Sequence, residues 1–79
     1  MNIVLYILKS KASSMRYIGI TNNLQNRIKR HRINQSVLKR MLGEFELIYT
    51  EDYSDYKSAR KREKYFKSGV GREWMNKNL

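Results

Sequence analysis

The chain has 79 residues, with 17 lysines and arginines against 7 acids, one histidine, no cysteine and no proline, for a formal net charge of +10. That length supports one domain with a small core, near the lower limit for a chain that folds without covalent staples. The lack of cysteine excludes a disulfide framework and a cysteine zinc site. The single histidine excludes a histidine metal cluster, and the longest apolar run, residues 3–8, is too short to span a bilayer.

In chain order, residues 3–9 are dense in Ile, Val, Leu and Tyr and predict a buried strand. Residues 11–14, Lys-Ala-Ser-Ser, supply a turn. Residues 16–21 alternate, with Tyr17, Gly19 and Thr21 on one side and Ile18 and Ile20 on the other, which predicts a second strand forming a hairpin with the first. Asn22 or Asn23 caps a helix carrying Leu24, Arg27, Ile28 and His31 at helical spacing. Residues 34–43 leave two readings open, a loop or a short helix on Val37, Leu38, Met41 and Leu42 ended by Gly43. Residues 45–52 alternate Phe45, Leu47 and Tyr49 against Glu46, Ile48 and Thr50, a third strand. Ser54 or Asp55 opens a helix expected to run through Ser68 with Gly69 after it, and a last short helix runs from Arg72 towards Leu79. The expected fold is one α+β domain over residues 1–79, a small antiparallel three-stranded sheet flanked by helices in the order β-β-α-β-α-α.

Charge is unevenly spread. Five of the seven acids (Glu44, Glu46, Glu51, Asp52 and Asp55) fall between residues 44 and 55, which predicts one acidic edge and a broad basic surface. Such a surface binds polyanions by releasing their condensed counterions, so nucleic acid is the first candidate partner. No basic stretch carries a strong, wide apolar face, which argues against a membrane partner. The N-terminus lacks the basic region and cleavage site of a signal peptide, so an intracellular, cytoplasmic, nucleoid-associated location is expected.

A few residues carry chemistry. Tyr56, Ala59, Glu63, Phe66 and Val70 fall on one helical stripe that is apolar except for Glu63. A carboxylate there needs a cation. An ion pair with Lys67 at i+4 and a ligand position for Mg²⁺ or Mn²⁺ both satisfy it. Arg27 reads as a surface cation or as a phosphate clamp. His31, one turn on, reads as a packed ring or as a proton relay. Tyr6 and Tyr17 suit cross-strand packing, and a hairpin also places them on one face beside Gly19, which leaves room for a phosphate or a neighbouring ring. A phenol acting as base needs its pKa lowered from about 10, and Arg27, the lysines and a bound cation are expected to push it down.

The order Tyr6, Tyr17-Ile18-Gly19, Arg27, His31 and Glu63 resembles the GIY-YIG nuclease superfamily. Within it the chain is most similar to small stand-alone bacterial members of the UPF0213 type, related to the nuclease domain of the UvrC repair protein. Residues 16–22 (Arg-Tyr-Ile-Gly-Ile-Thr-Asn) match the second motif closely, residues 24–31 fit the arginine helix, and residues 59–67 resemble the glutamate helix. Val4 and Leu5 stand where the first motif carries glycine and isoleucine. The resemblance implies metal-dependent hydrolysis of DNA. Glu63 then holds a single Mg²⁺ or Mn²⁺, Arg27 stabilises the phosphate, Tyr6 and Tyr17 sit at the scissile group, and His31 supports the site. Thr21 or Asn22 fills the place of an assisting polar residue, and Asn76 is the candidate for a terminal asparagine near the site. Gly19, Lys29, Arg30, Arg60 and Lys67 are expected on the strand-binding surface. Without an added recognition domain the protein should read phosphate and shape, acting as a monomer on nicked, branched or damaged DNA, with a partner protein to direct it. The other reading is a nucleic-acid-binding module that keeps the fold without turnover.

Overall fold

The computed structural model describes residues 2–33 and 37–79. Met1 and residues 34–36, the start of the segment with two open readings, lie outside the described residues. Strand β1 (Ile3–Ser10) pairs antiparallel with β2 (Arg16–Thr21) on one side and β3 (Phe45–Tyr53) on the other, so the sheet order is β2-β1-β3. Four helices complete the chain: α1 (Leu24–His31), α2 (Val37–Leu42), α3 (Tyr56–Phe66) and α4 (Gly69–Asn78). The expected order holds, and the open segment resolves as the short helix α2, ended by Gly43 at φ 66°.

Both faces of β1 are covered, which explains its unbroken apolar run. Leu5 and Ile7 pack with Ile18, Phe66 and Met75 beneath α3 and α4. Tyr6 and Leu8 pack with Leu38, Leu42 and Phe45, with Leu24 and Ile28 against them, beneath α1 and α2. Burying each such side chain stabilises the fold by about 1.5–3 kcal/mol. The Ser10 hydroxyl donates to the Leu42 carbonyl at 2.7 Å and ties α2 to the end of β1.

Strand β3 departs from the expected simple alternation. Ile7 faces Tyr49 and Leu8 faces Leu47, so Ile48 is an extra residue in the ladder, a β-bulge. Phe45 and Tyr49 therefore serve opposite faces, Phe45 with Tyr6 and Leu8, Tyr49 with Leu5 and Ile7. The switch also turns Glu51 inward. Its carboxylate accepts from Tyr53 Oη at 2.6 Å, from Tyr49 Oη, and from Arg62 Nε at 3.0 Å and Nη2 at 3.2 Å. The Arg62 guanidinium lies over the rings of Tyr65 and Phe66. Burial works to raise the Glu51 carboxyl, but the Arg62 and tyrosine hydrogen bonds outweigh it and hold it below the usual range. The other acids of the 44–55 window do sit outward: Glu46 and Asp52 are exposed on the outer strand, Glu44 pairs with Lys39 at 2.6 Å, and Asp55 caps α3. Charge on an edge strand discourages pairing with another chain.

The helix expected to continue through Ser68 ends at Phe66 instead. The Ser68 hydroxyl accepts from Gly71 N at 3.3 Å and starts α4 at Gly69, so Val70 belongs to α4 and is exposed. Gly71 permits this tight corner, since a Cβ there would run into the Tyr65 carbonyl and sit 2.6 Å from Phe66 Cα.

Candidate active site

No strand among the described residues pairs with the outer side of β2, and a cleft of about 420 Å³ follows that edge between α1 and α3. The strand contributes Tyr17, Gly19, Ile20 and Thr21, and the turn after it Asn22 and Asn23. Asn23 caps α1 by accepting from Asn26 N at 3.1 Å, which aims Asn26, Arg27 and Arg30 into the cleft. Helix α3 contributes Tyr56, Arg60 and Glu63, spaced i, i+4 and i+7 on one stripe. Of the five residues given catalytic roles by the sequence, Tyr17, Arg27 and Glu63 thus line one cleft from three separate elements.

Tyr6 lies behind the cleft wall. It pairs directly with Gly19 across the hairpin and is fully buried. A Cβ on residue 19 would lie 2.5 Å from Tyr6 Oη and 3.0 Å from the Tyr17 ring, so only glycine leaves both phenols in place. The Tyr6 and Tyr17 ring centroids are 6.1 Å apart, and His31 stands 6.0 Å from the first and 5.6 Å from the second. Tyr6 Oη and His31 Nε2 are 3.0 Å apart. Burial pushes the Tyr6 phenol up to about 12; Tyr17 adds to the rise and Arg27 opposes it. The expectation that cations pull the phenols down therefore fails for Tyr6, where desolvation wins. Burial, then Arg27, lowers His31. With a neutral imidazole beside a protonated phenol, the tautomer of His31 sets which of the two groups donates.

Glu63 is the one carboxylate lining the cleft among the described residues, and its side chain is 18% exposed. Lys67 Nζ lies 3.3 Å from Glu63 Oε2, the i,i+4 pair that the spacing allowed. No group of three or more His, Cys, Asp and Glu exists among the described residues, so a cation fully enclosed by protein ligands is not built there. A single carboxylate in a cleft that also holds hydroxyls, amides and Arg27, Arg30 and Arg60 fits a hydrated magnesium ion completed by substrate phosphate oxygens.

The strand-binding residues divide. Gly19, Thr21, Asn22, Arg30 and Arg60 line the cleft. Lys29 does not: two residues after Arg27, it is turned about 200° from it around α1. Asn76 is also away from the cleft, accepting from Arg16 Nη1 at 3.0 Å. Lys67 touches Glu63 but lines a separate cavity, and His31 borders an apolar groove with Val37 and Met41. Tyr56, Asn23 and Asn26 are cleft residues that the sequence reading missed. Tyr56 was legible as the residue two turns before Glu63 on the same stripe, but it read as apolar packing; it is 45% exposed.

A family model described as the GIY-YIG catalytic domain matches residues 2–78. A UPF0213 protein of Clostridium perfringens is 43% identical over 63 residues, covering 78% of this chain and 67% of that protein. The solution NMR structure of a UPF0213 protein from Bacillus halodurans superposes with a TM-score of 0.59 at 29% identity, covering 98% of this chain and 84% of that one.

Proposed function

This chain belongs to the GIY-YIG nuclease family, and from that premise we propose that it is a metal-dependent endonuclease hydrolysing phosphodiester bonds of DNA. The observation that carries the reading is the convergence of Tyr17, Arg27 and Glu63 from β2, α1 and α3 on one cleft. Arg27, Arg30 and Arg60 bind the backbone phosphates, and the Arg27 fork faces the charge that develops on the scissile group. Tyr17, at the cleft wall, hydrogen-bonds and orients the attacking water. Tyr6 and His31 hold that phenol from behind. Glu63 holds one Mg²⁺ or Mn²⁺, which supplies Lewis acidity and a more acidic water when bound. The cleft offers arginines, amides and hydroxyls, which suit phosphate oxygens. Phosphate position and DNA shape therefore set the target, which suits nicked, branched or damaged DNA met in repair or recombination at the nucleoid.

Nicking of supercoiled plasmid with Mg²⁺ or Mn²⁺ tests this. Wild-type protein should nick, and Glu63→Ala and chelator should abolish nicking while DNA binding persists. Equal nicking by both proteins would refute the metal role of Glu63. One observation favours a binding module without turnover: Glu63 already has a cation, Lys67, at 3.3 Å. That reading expects no nicking by any variant and tighter metal-free DNA binding for Glu63→Ala.

A further inference from the structure

A second cavity, about 260 Å³, opens beside the first, and its chemistry is one-signed. Arg16 from the start of β2, Lys67 from the cap of α3 and Arg72 from the first turn of α4 line it, together with Ser14 and apolar side chains. Three cations from three elements converge there, and no carboxylate lines the space among the described residues. Asn76 Oδ1 accepts from Arg16 Nη1 at 3.0 Å and fixes the orientation of the guanidinium. Yet Arg16 Nε is buried and makes no hydrogen bond. Nε is closed to solvent and does not itself reach a ligand, but a guanidinium held through one nitrogen by Asn76 is pre-oriented to offer its remaining donors to a phosphate oxygen.

The two cavities lie close together. Lys67 stands at the wall between them, one turn beyond Glu63 and 3.3 Å from its carboxylate. Arg16 and Tyr17 are neighbours on β2, one facing each cavity. From Arg16 to Thr21 the strand measures about 17 Å at ~3.3 Å per residue. That is the axial length of about five phosphates of one strand at ~3.4 Å each.

We propose that this second cavity binds a backbone phosphate of the same DNA strand, several nucleotides from the scissile one, so that the strand runs along the β2 edge from Thr21 towards Arg16. The proposal rests on the nuclease reading for its substrate class, and its test is independent of cleavage. Binding of a fluorescein-labelled 20-bp duplex is followed by anisotropy, without metal and with EDTA, over a range of salt. Each phosphate that the protein no longer neutralises should reduce the slope of log K against log salt by about 0.9. Arg72→Gln should lower the slope by about one, and Arg16→Gln with Arg72→Gln by about two, while Lys29→Gln, an equal change of charge at a residue that lines neither cavity, should lower it far less. Arg72 is exposed, so the single variant decides the matter if the Arg16 variant fails to fold by circular dichroism. Unchanged slopes, or an equal fall for Lys29→Gln, would overturn the proposal. So would a site for free phosphate alone, seen as an inorganic phosphate stabilisation absent in Arg72→Gln with the DNA slope intact. If slopes fall but wild-type protein never nicks plasmid, the strand path stands and the nuclease reading fails. If it nicks and slopes are unchanged, the reverse holds.

Discussion

Tyr6 and Tyr17 differ in access to the cleft. Tyr17 lines it, whereas Tyr6 is buried behind Gly19 with its phenol pushed up to about 12. Tyr17→Phe should therefore lower kcat about 100-fold or more at saturating DNA, in the range for removal of a proton-handling group. Tyr6→Phe should act through His31 and lower it less, and single-turnover kinetics separate the two. The His31 pKa is depressed on folding, so its contribution to stability is full above its unfolded value of about 6.5 and is lost as pH falls through the lower folded value. The acid limb of nicking should follow that loss, and His31→Gln should flatten it. Glu63 was legible because it is the one acid in a cationic helix, whereas Arg27, with Lys29 and Arg30 beside it, stood out only by its helical spacing from His31. The order of the two phenols in depth was not legible, because two tyrosines on one strand face look alike until the register sets Tyr6 opposite Gly19.

At the scale of elements, the strands and the first helix follow from alternation and caps, and Asn23 and Asp55 cap as their positions indicate. The corner between α3 and α4 was not legible, since Gly69 looks like a helix terminator while Ser68 is the cap that decides the break. That corner positions Glu63 and Lys67, because α4 packs on the last turn of α3 through Gly71. Gly71→Ala should destabilise by about 1–3 kcal/mol, as overpacking does, and should weaken nicking further than the loss of folded protein explains. Chemical denaturation and single-turnover rates measure the two effects apart. An unaltered melting temperature would contradict the close approach of the two helices.

For the molecule as a whole, the ionisable core sets the pH range of stability. Glu51 titrates below its ordinary range, so its contribution is complete above its unfolded pKa of about 4.3 and is lost as pH falls through the lower folded value. Tyr6 and Tyr53 are raised to about 12, so their contribution is complete below about pH 10 and is lost as pH rises towards 12. Urea midpoints should be highest between about pH 6.5, below which His31 costs stability, and about pH 10, and Glu51→Gln should flatten the further fall below about pH 4.3. The basic surface was plain from composition, but the inward turn of Glu51 was not, because one unpaired residue upstream reverses the phase of the strand. The chain thus carries a spare link. Excising Ile48 closes the ladder and leaves Glu51 with Arg62, with one partly buried side chain removed, whereas excising Thr50 slips every later residue of β3 to the wrong side. Shortened chains of the first kind should fold and those of the second should not, so changes in length within this sheet are tolerated at one position and refused at its neighbours.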